Sequence, residues 1–348
     1  MRYLTQLKIP DKTLTINALV KVSPLVAFVI PLTLLYLLNP FDPYLNLSAQ
    51  DSFQLMWKGR TFLLFFVWLI ALELLLSWDF VKPIISKHQV FSALCRSIAL
   101  ILPSIYLIAE NLFGLNSSIA DWAAQSGVPF SDSMPIAFEY LFFSVIFCFL
   151  IFVFFGKKGL RTFILPAIFV AIVGILYSVD NIYPYGQFTP FQLLVPTTTM
   201  IAASILNAMG YNTVLGTENS MPTLQASGSL GTAKFAIAWP CAGIESLLIF
   251  MAVSLIFLKR MTVSWKVKIG FFAFGATVTY LINLIRIVTI FTIGMEYGVA
   301  SNQVQLFHFY YGPLYAMAWI ISYPLILLAT IDIWKKIKKP RSTQLNLV

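Results

Sequence analysis

Nine apolar runs, most close to a membrane-crossing length, dominate this chain and restrict what it can fold into. They cover roughly residues 22–38, 61–79, 97–113, 136–155, 162–178, 191–209, 243–258, 268–290 and 310–332. About 20 apolar residues in a helix cross the ~30 Å hydrocarbon core of a bilayer. Inside that core each backbone N–H and C=O needs a partner within the protein, which a helix supplies. Hydrophobic residues make up 59% of the chain and charged residues 11%, against ~25% charged in soluble domains. So few polar side chains cannot cover a water-soluble globule, and lipid is the expected solvent. The expectation is an all-α polytopic membrane protein, with residues 1–348 forming a single transmembrane domain. Pro24, Pro31, Pro103 and Pro166 fall inside runs, as membrane helices tolerate.

The formal net charge of +9 is spread in short basic clusters beside the runs, which is the pattern of loops held on the cytoplasmic side rather than of a nucleic-acid surface. The first run follows a polar stretch with Arg2, Lys8, Lys12 and Lys21 and no small-residue cleavage site, so it reads as an uncleaved first span. Lys82, Lys87 and Arg96 place one connection inside. The next, with Asp121, Asp132 and no basic residue, lies outside. Lys157, Lys158 and Arg161 return the chain inside, and the connection with Asp180 is again outside. If run 191–209 crossed, Lys259, Arg260, Lys266 and Lys268, and then Lys335, Lys336, Lys338 and Lys339, would fall outside. That run is the most polar of the set, with Gln192, Pro196, Thr197, Thr198, Thr199, Ser204 and Asn207. Read as a helix on or dipping into the outer interface, it leaves about eight transmembrane helices with both termini cytoplasmic. Lys58 and Arg60 then remain as the one violation. The stretch 210–240, with Gly210, Gly216, Pro222, Gly228 and Gly231, becomes an external loop with a small β-hairpin. The outer helix and loop together occupy about 191–240.

On this topology Cys95 and Cys148 lie toward the inner face and read as small buried hydrophobes. Cys241 differs. It follows Trp239-Pro240 at the outer start of a span, with no second cysteine on that side. It is either a reactive thiol or a filler beneath the external loop; a helix N-terminus there would favour its thiolate. Arg286 sits deep in the run Leu281–Val288, where a charge costs at least ~2.5–3.5 kcal/mol near the middle of a membrane helix. It either faces a polar cavity or snorkels to the interface. Asn283 shares its face. His308 lies in Phe307-His308-Phe309-Tyr310-Tyr311-Gly312-Pro313, at the outer start of the last run, as a functional imidazole or part of an aromatic belt. The other histidine, His88, is in a basic inner connection. Three segments thus bring a thiol, a guanidinium and an imidazole to one depth, the constellation for nucleophilic acyl transfer. One outer Cys and one outer His are too few to hold a metal, no cofactor is implied, and no Gly-x-Ser-x-Gly motif supports a serine nucleophile.

The segment Pro240-Cys241-Ala242-Gly243-Ile244-Glu245-Ser246-Leu247 resembles the Cys-Ser-Gly-x-x-Ser-Leu segment of the exosortases and archaeosortases. Asn283-Leu284-Ile285-Arg286-Ile287 and His308 are similar to that family's later motifs in the same order. The resemblance covers about residues 160–330, so the catalytic part is expected at about 160–332. Ala242 departs from the usual Ser, and Glu245 stands where a basic or neutral residue is commoner. The resemblance implies a sorting transpeptidase of the cell membrane. Its substrates carry a C-terminal motif, a transmembrane helix and a basic tail. They are cut on the extracytoplasmic side, and the new carboxyl end passes to a second nucleophile such as a membrane lipid. It implies Cys241 as nucleophile, Arg286 as transition-state stabiliser and His308 as acid and base. Asn283, Glu245 and Ser246 are supporting residues, Asn283 by orienting Arg286 and Glu245 by pairing with it. The competing classes are a transporter, which predicts inverted repeats, and a non-catalytic assembly subunit, in which all three residues are replaceable.

Overall fold

The computed structural model describes residues 12–38, 60–84, 89–183, 194–218 and 221–338. Arg2, Lys8, Lys58, Lys87, His88, residues 191–193 and Lys339 lie outside the described residues. Each of the nine apolar runs is helical. The helices are α1 (Lys12–Leu38), α2 (Thr61–Leu76), α3 (Gln89–Phe113), α4 (Leu115–Gln125), α5 (Met134–Thr162), α6 (Ile164–Ile182), α7 (Leu194–Ala208), α8 (Ile244–Leu258), α9 (Trp265–Tyr297), α10 (Asn302–Leu306) and α11 (Gly312–Lys338). Among the described residues five helical stretches are long and apolar enough to cross a bilayer: Val90–Phe113, Ser131–Thr162, Ile164–Ile182, Trp265–Tyr297 and Asn302–Ile331. Shorter apolar helices occupy Lys21–Leu35, Phe62–Leu76, Leu194–Ala208 and Ile244–Leu258. This is a multi-pass membrane protein.

The chain divides into two compact units, Met1–Pro184 and Tyr185–Val348. In the first, aromatic rings knit the helices together. Phe28 of α1 meets Phe66 of α2 and Phe143 and Phe147 of α5 at centroid distances of 5.8, 6.0 and 5.1 Å. Tyr140 and Tyr177 meet edge to face at 5.3 Å. Lipid is as apolar as these rings, so shape-matched packing, not escape from water, holds such helices together; each ring pair adds ~0.5–1.5 kcal/mol beyond its area. One ion pair is enclosed as well. Arg60 donates from Nε and Nη2 to the two carboxylate oxygens of Glu139, both at 2.8 Å, with Nη1 reaching the Leu35 carbonyl at 3.4 Å. Both side chains are almost fully buried. One of the two basic residues that broke the topological pattern, Arg60, is therefore neutralised by a buried carboxylate.

The second unit adds a correction to the all-α expectation. Residues 212–236 form a three-stranded antiparallel meander, β1 (Asn212–Glu218), β2 (Met221–Gly228) and β3 (Gly231–Ala236), in the order β1-β2-β3. Leu215 pairs with Leu224, and Leu224 with Phe235. The expected hairpin is thus extended by a third strand, and it is seated on α9. Phe235 stands edge-on to Phe291 at 5.0 Å, and a Cβ on Gly294 would touch the Phe235 ring at 3.0 Å and Ala233 at 3.2 Å.

Helix α7 differs from its reading in one respect. Two of the three threonines taken as a sign of an interface turn inward, and Thr197 stays exposed. Thr198 and Thr199 are buried with Val195, Ala202, Ala203 and Leu206, the i, i+3, i+4 stripe of a packed helix. Thr198 shares a 2.8 Å hydrogen bond with Tyr280 of α9, and Thr199 returns its hydroxyl to the Val195 carbonyl, as hydroxyls within membrane helices do.

Candidate active site

Helix α9 carries contacts in order along its length. Phe271 accepts the Tyr323 hydroxyl at its carbonyl, Thr279 receives the Trp319 indole, Asn283 meets Cys241, Arg286 meets His308, and Phe291 meets the sheet. The middle two levels form the site.

Cys241 lies in a short 3-10 turn, Pro240–Ala242, that precedes α8. Gly243 ends the turn with φ +99°, a conformation open to Gly at little cost. It also allows close approach, since a Cβ there would lie 3.1 Å from Asn283 Nδ2. Asn283 Nδ2 donates to the Cys241 carbonyl at 2.9 Å. Asn283 therefore fixes the backbone of the thiol residue instead of orienting Arg286 by a hydrogen bond, the role implied by resemblance.

The imidazole is delivered by a local irregularity. Residues Phe307–Tyr311 form a π-helical turn between α10 and α11. Gly312 N–H donates to the Phe307 carbonyl, one residue beyond the α-helical partner. The next donor in that register belongs to residue 313, which is proline and has no N–H. The His308 carbonyl is left without a helical partner, and Arg286 Nη2 donates to it at 2.9 Å. Gly312 makes room: a Cβ there would lie 2.8–2.9 Å from the Nε, Cδ and Cγ of Arg286. Arg286 is thus clasped between helices instead of reaching for an interface. The His308 ring meets the thiol, with Cys241 Sγ and His308 Nε2 3.6 Å apart. Sequence reasoning missed this π turn; the signal was present in the spacing of His308 and Pro313.

The electrostatics correct one expectation. Burial raises the Cys241 thiol above its ordinary value, the charge of Arg286 lowers it again, and Glu245 adds to the rise. Burial thus favours the thiol over the thiolate, and the imidazole of His308 is in contact with it. Glu245, in the first turn of α8, makes no direct salt bridge with Arg286; its Oε1 is buried without a hydrogen-bond partner. Asn283 Oδ1 and Arg286 Nε are buried and unpartnered likewise. Ser246 is half-buried, and its hydroxyl joins no hydrogen bond among the described residues. Cys95 and Cys148 are free and half-buried, and both belong to the first unit. No group of three or more His, Cys, Asp or Glu that could hold a metal occurs among the described residues.

Fold and site together define a polytopic membrane protein with a thiol in contact with an imidazole and a guanidinium bonded to the backbone of that histidine. The family model of the transmembrane exosortases matches residues 24–325, most of the chain, and the protein belongs to that family. It is a membrane cysteine transpeptidase, and membership implies protein substrates that carry a sorting signal. No curated protein and no solved structure matches it.

Proposed function

We propose that the protein cuts C-terminal sorting signals at the extracytoplasmic side of the cell membrane and transfers the new carboxyl end to a second nucleophile, a membrane lipid headgroup being the acceptor within reach. In this reading eight helices span the bilayer, both termini are cytoplasmic, and α7 with the sheet belongs to the outer side. The observation that carries the proposal is the 3.6 Å contact between Cys241 Sγ and His308 Nε2.

The chemistry runs in two halves. His308 Nε2 takes the thiol proton as Cys241 Sγ attacks the scissile carbonyl. Arg286 Nε, the donor left unpartnered in the site, faces the charge that grows on the carbonyl oxygen. The C–N bond breaks, the imidazolium returns its proton to the leaving amine, and a thioester remains on Cys241. The acceptor then gives its proton to His308 and attacks the thioester. The C–S bond breaks, and the sulfur recovers its proton from the imidazolium. Asn283 is a positioning residue for the nucleophile's backbone, through its bond to the Cys241 carbonyl.

The test is Cys241→Ala in the full-length protein, co-expressed with a substrate that carries the signal. Expression should be unchanged and uncleaved substrate should accumulate. Continued processing would overturn the assignment of the nucleophile. Mass spectrometry of the mature substrate's C-terminus in the wild type identifies the acceptor.

A further inference from the structure

Glu245 is the one charged group of the site that neither the acyl-transfer steps nor the scaffold uses. It lies four residues beyond Cys241, in the first turn of α8, and its charge reaches both the thiol and Arg286. It forms no direct salt bridge with that arginine. Its Oε1 is buried and has no hydrogen-bond partner, whereas the enclosed carboxylate of Glu139 takes two donors from Arg60. Burying an unpaired carboxylate oxygen is costly, and buried polar atoms in native proteins nearly always have partners. An acidic residue in a helix's first turn is favoured by the helix dipole, but that benefit needs no burial. Of the arginine's donors, Nη2 is committed to the His308 carbonyl, and the unpartnered Nε is the one that the acyl-transfer steps assign to the developing oxyanion. That leaves the carboxylate of Glu245 available to a donor carried by a reactant.

We propose that Glu245 is a specificity-determining residue, whose carboxylate receives a cationic hydrogen-bond donor carried by one of the two reactants. The donor is either a basic side chain of the sorting signal beside the scissile bond or an ammonium group on the acceptor nucleophile. The inference rests on the transpeptidase reading of the same site. It also gives a chemical sense to the acidic residue at position 245, since an acidic group on the reactant would meet a like charge there.

The experiment uses full-length enzyme in lipid nanodiscs, with acylation read as release of the C-terminal fragment and deacylation as decay of the Cys241 thioester. Signal peptides carry lysine or glutamate beside the scissile bond, and the acceptor is ethanolamine or glycolate. The wild type should prefer the cationic member of one pair by tenfold or more, and Glu245→Gln should reduce that preference to below about threefold. A preference in acylation assigns the donor to the signal; a preference in deacylation assigns it to the acceptor. The inference is overturned if the wild type discriminates in neither step, or if Glu245→Gln discriminates as the wild type does. Should Glu245→Gln fail to accumulate, the wild-type arm alone still decides whether a cation is preferred. Cys241→Ala separates this outcome from the parent reading: an inactive Cys241→Ala beside an indifferent Glu245→Gln removes only the role of Glu245.

Discussion

Cys241 combines two features that pull against each other in an acyl-transfer enzyme: a buried sulfur and the need for a nucleophilic thiolate. Burial stabilises the neutral thiol, and Arg286 offsets that only in part. In the proposed mechanism the contact with His308 resolves the conflict, because the proton is removed only when the sulfur attacks. A consequence is open to measurement. With its value raised in the fold, the thiolate fraction falls away as pH drops through a point above the ~8.5 of a free thiol. Alkylation of Cys241 by iodoacetamide should therefore be slow at neutral pH and rise with a midpoint above that value. A midpoint below the free-thiol range would mean a resting thiolate and a different activation. Arg286 has a second duty at this scale. By holding the His308 carbonyl it ties the imidazole's backbone to α9, so charge and position come from one side chain.

At the scale of elements, the π turn Phe307–Tyr311 is the device that aims the site. It works because residue 313 lacks a backbone N–H and leaves the His308 carbonyl to Arg286. Pro313→Ala supplies a competing donor. A hydrogen bond to a charged group contributes ~1.5–3 kcal/mol, so its loss should lower the rate of signal cleavage by about tenfold or more. The fold should stay intact, as judged by the melting temperature of the purified protein. In the first unit the Arg60–Glu139 pair has the opposite character, being structural and complete. Glu139→Gln removes the charge that neutralises Arg60 and should destabilise that unit by ~3–5 kcal/mol, the cost of stranding a buried ion. Replacing both residues with apolar ones of similar volume should cost far less. Thermal unfolding in detergent distinguishes the two.

Considered as a whole molecule, the first unit has two consistent ends. Lys21 donates to the Trp78 carbonyl, the Ile84 N–H to the Phe154 carbonyl, and Arg96 to the Ile84 carbonyl. These gather the basic connections at one end. Arg60 with Glu139, Tyr106 with Asn116, and Phe130 with Asn181 gather at the other. Of the two residues discordant with the charge-based topology, Lys58 and Arg60, Arg60 is paired with Glu139, and Lys58 lies outside the described residues. Applied to intact cells, an impermeant maleimide should label Cys241 and spare Cys95 and Cys148. Labelling of Cys95 or Cys148 instead would invert the proposed orientation. The nine apolar runs, their helical state and the shared depth of Cys241, Arg286 and His308 were legible in the sequence, because depth along a membrane helix follows from counting residues. The sequence left undecided which polar atom meets which. Asn283 turned to the Cys241 backbone rather than to Arg286, Glu245 stayed unpaired, Thr198 and Thr199 of α7 turned inward, and the loop expected at 210–240 became a three-stranded meander on α9. Those outcomes depend on rotation about each helix axis and on one local change of helical register, and packing between distant segments sets both.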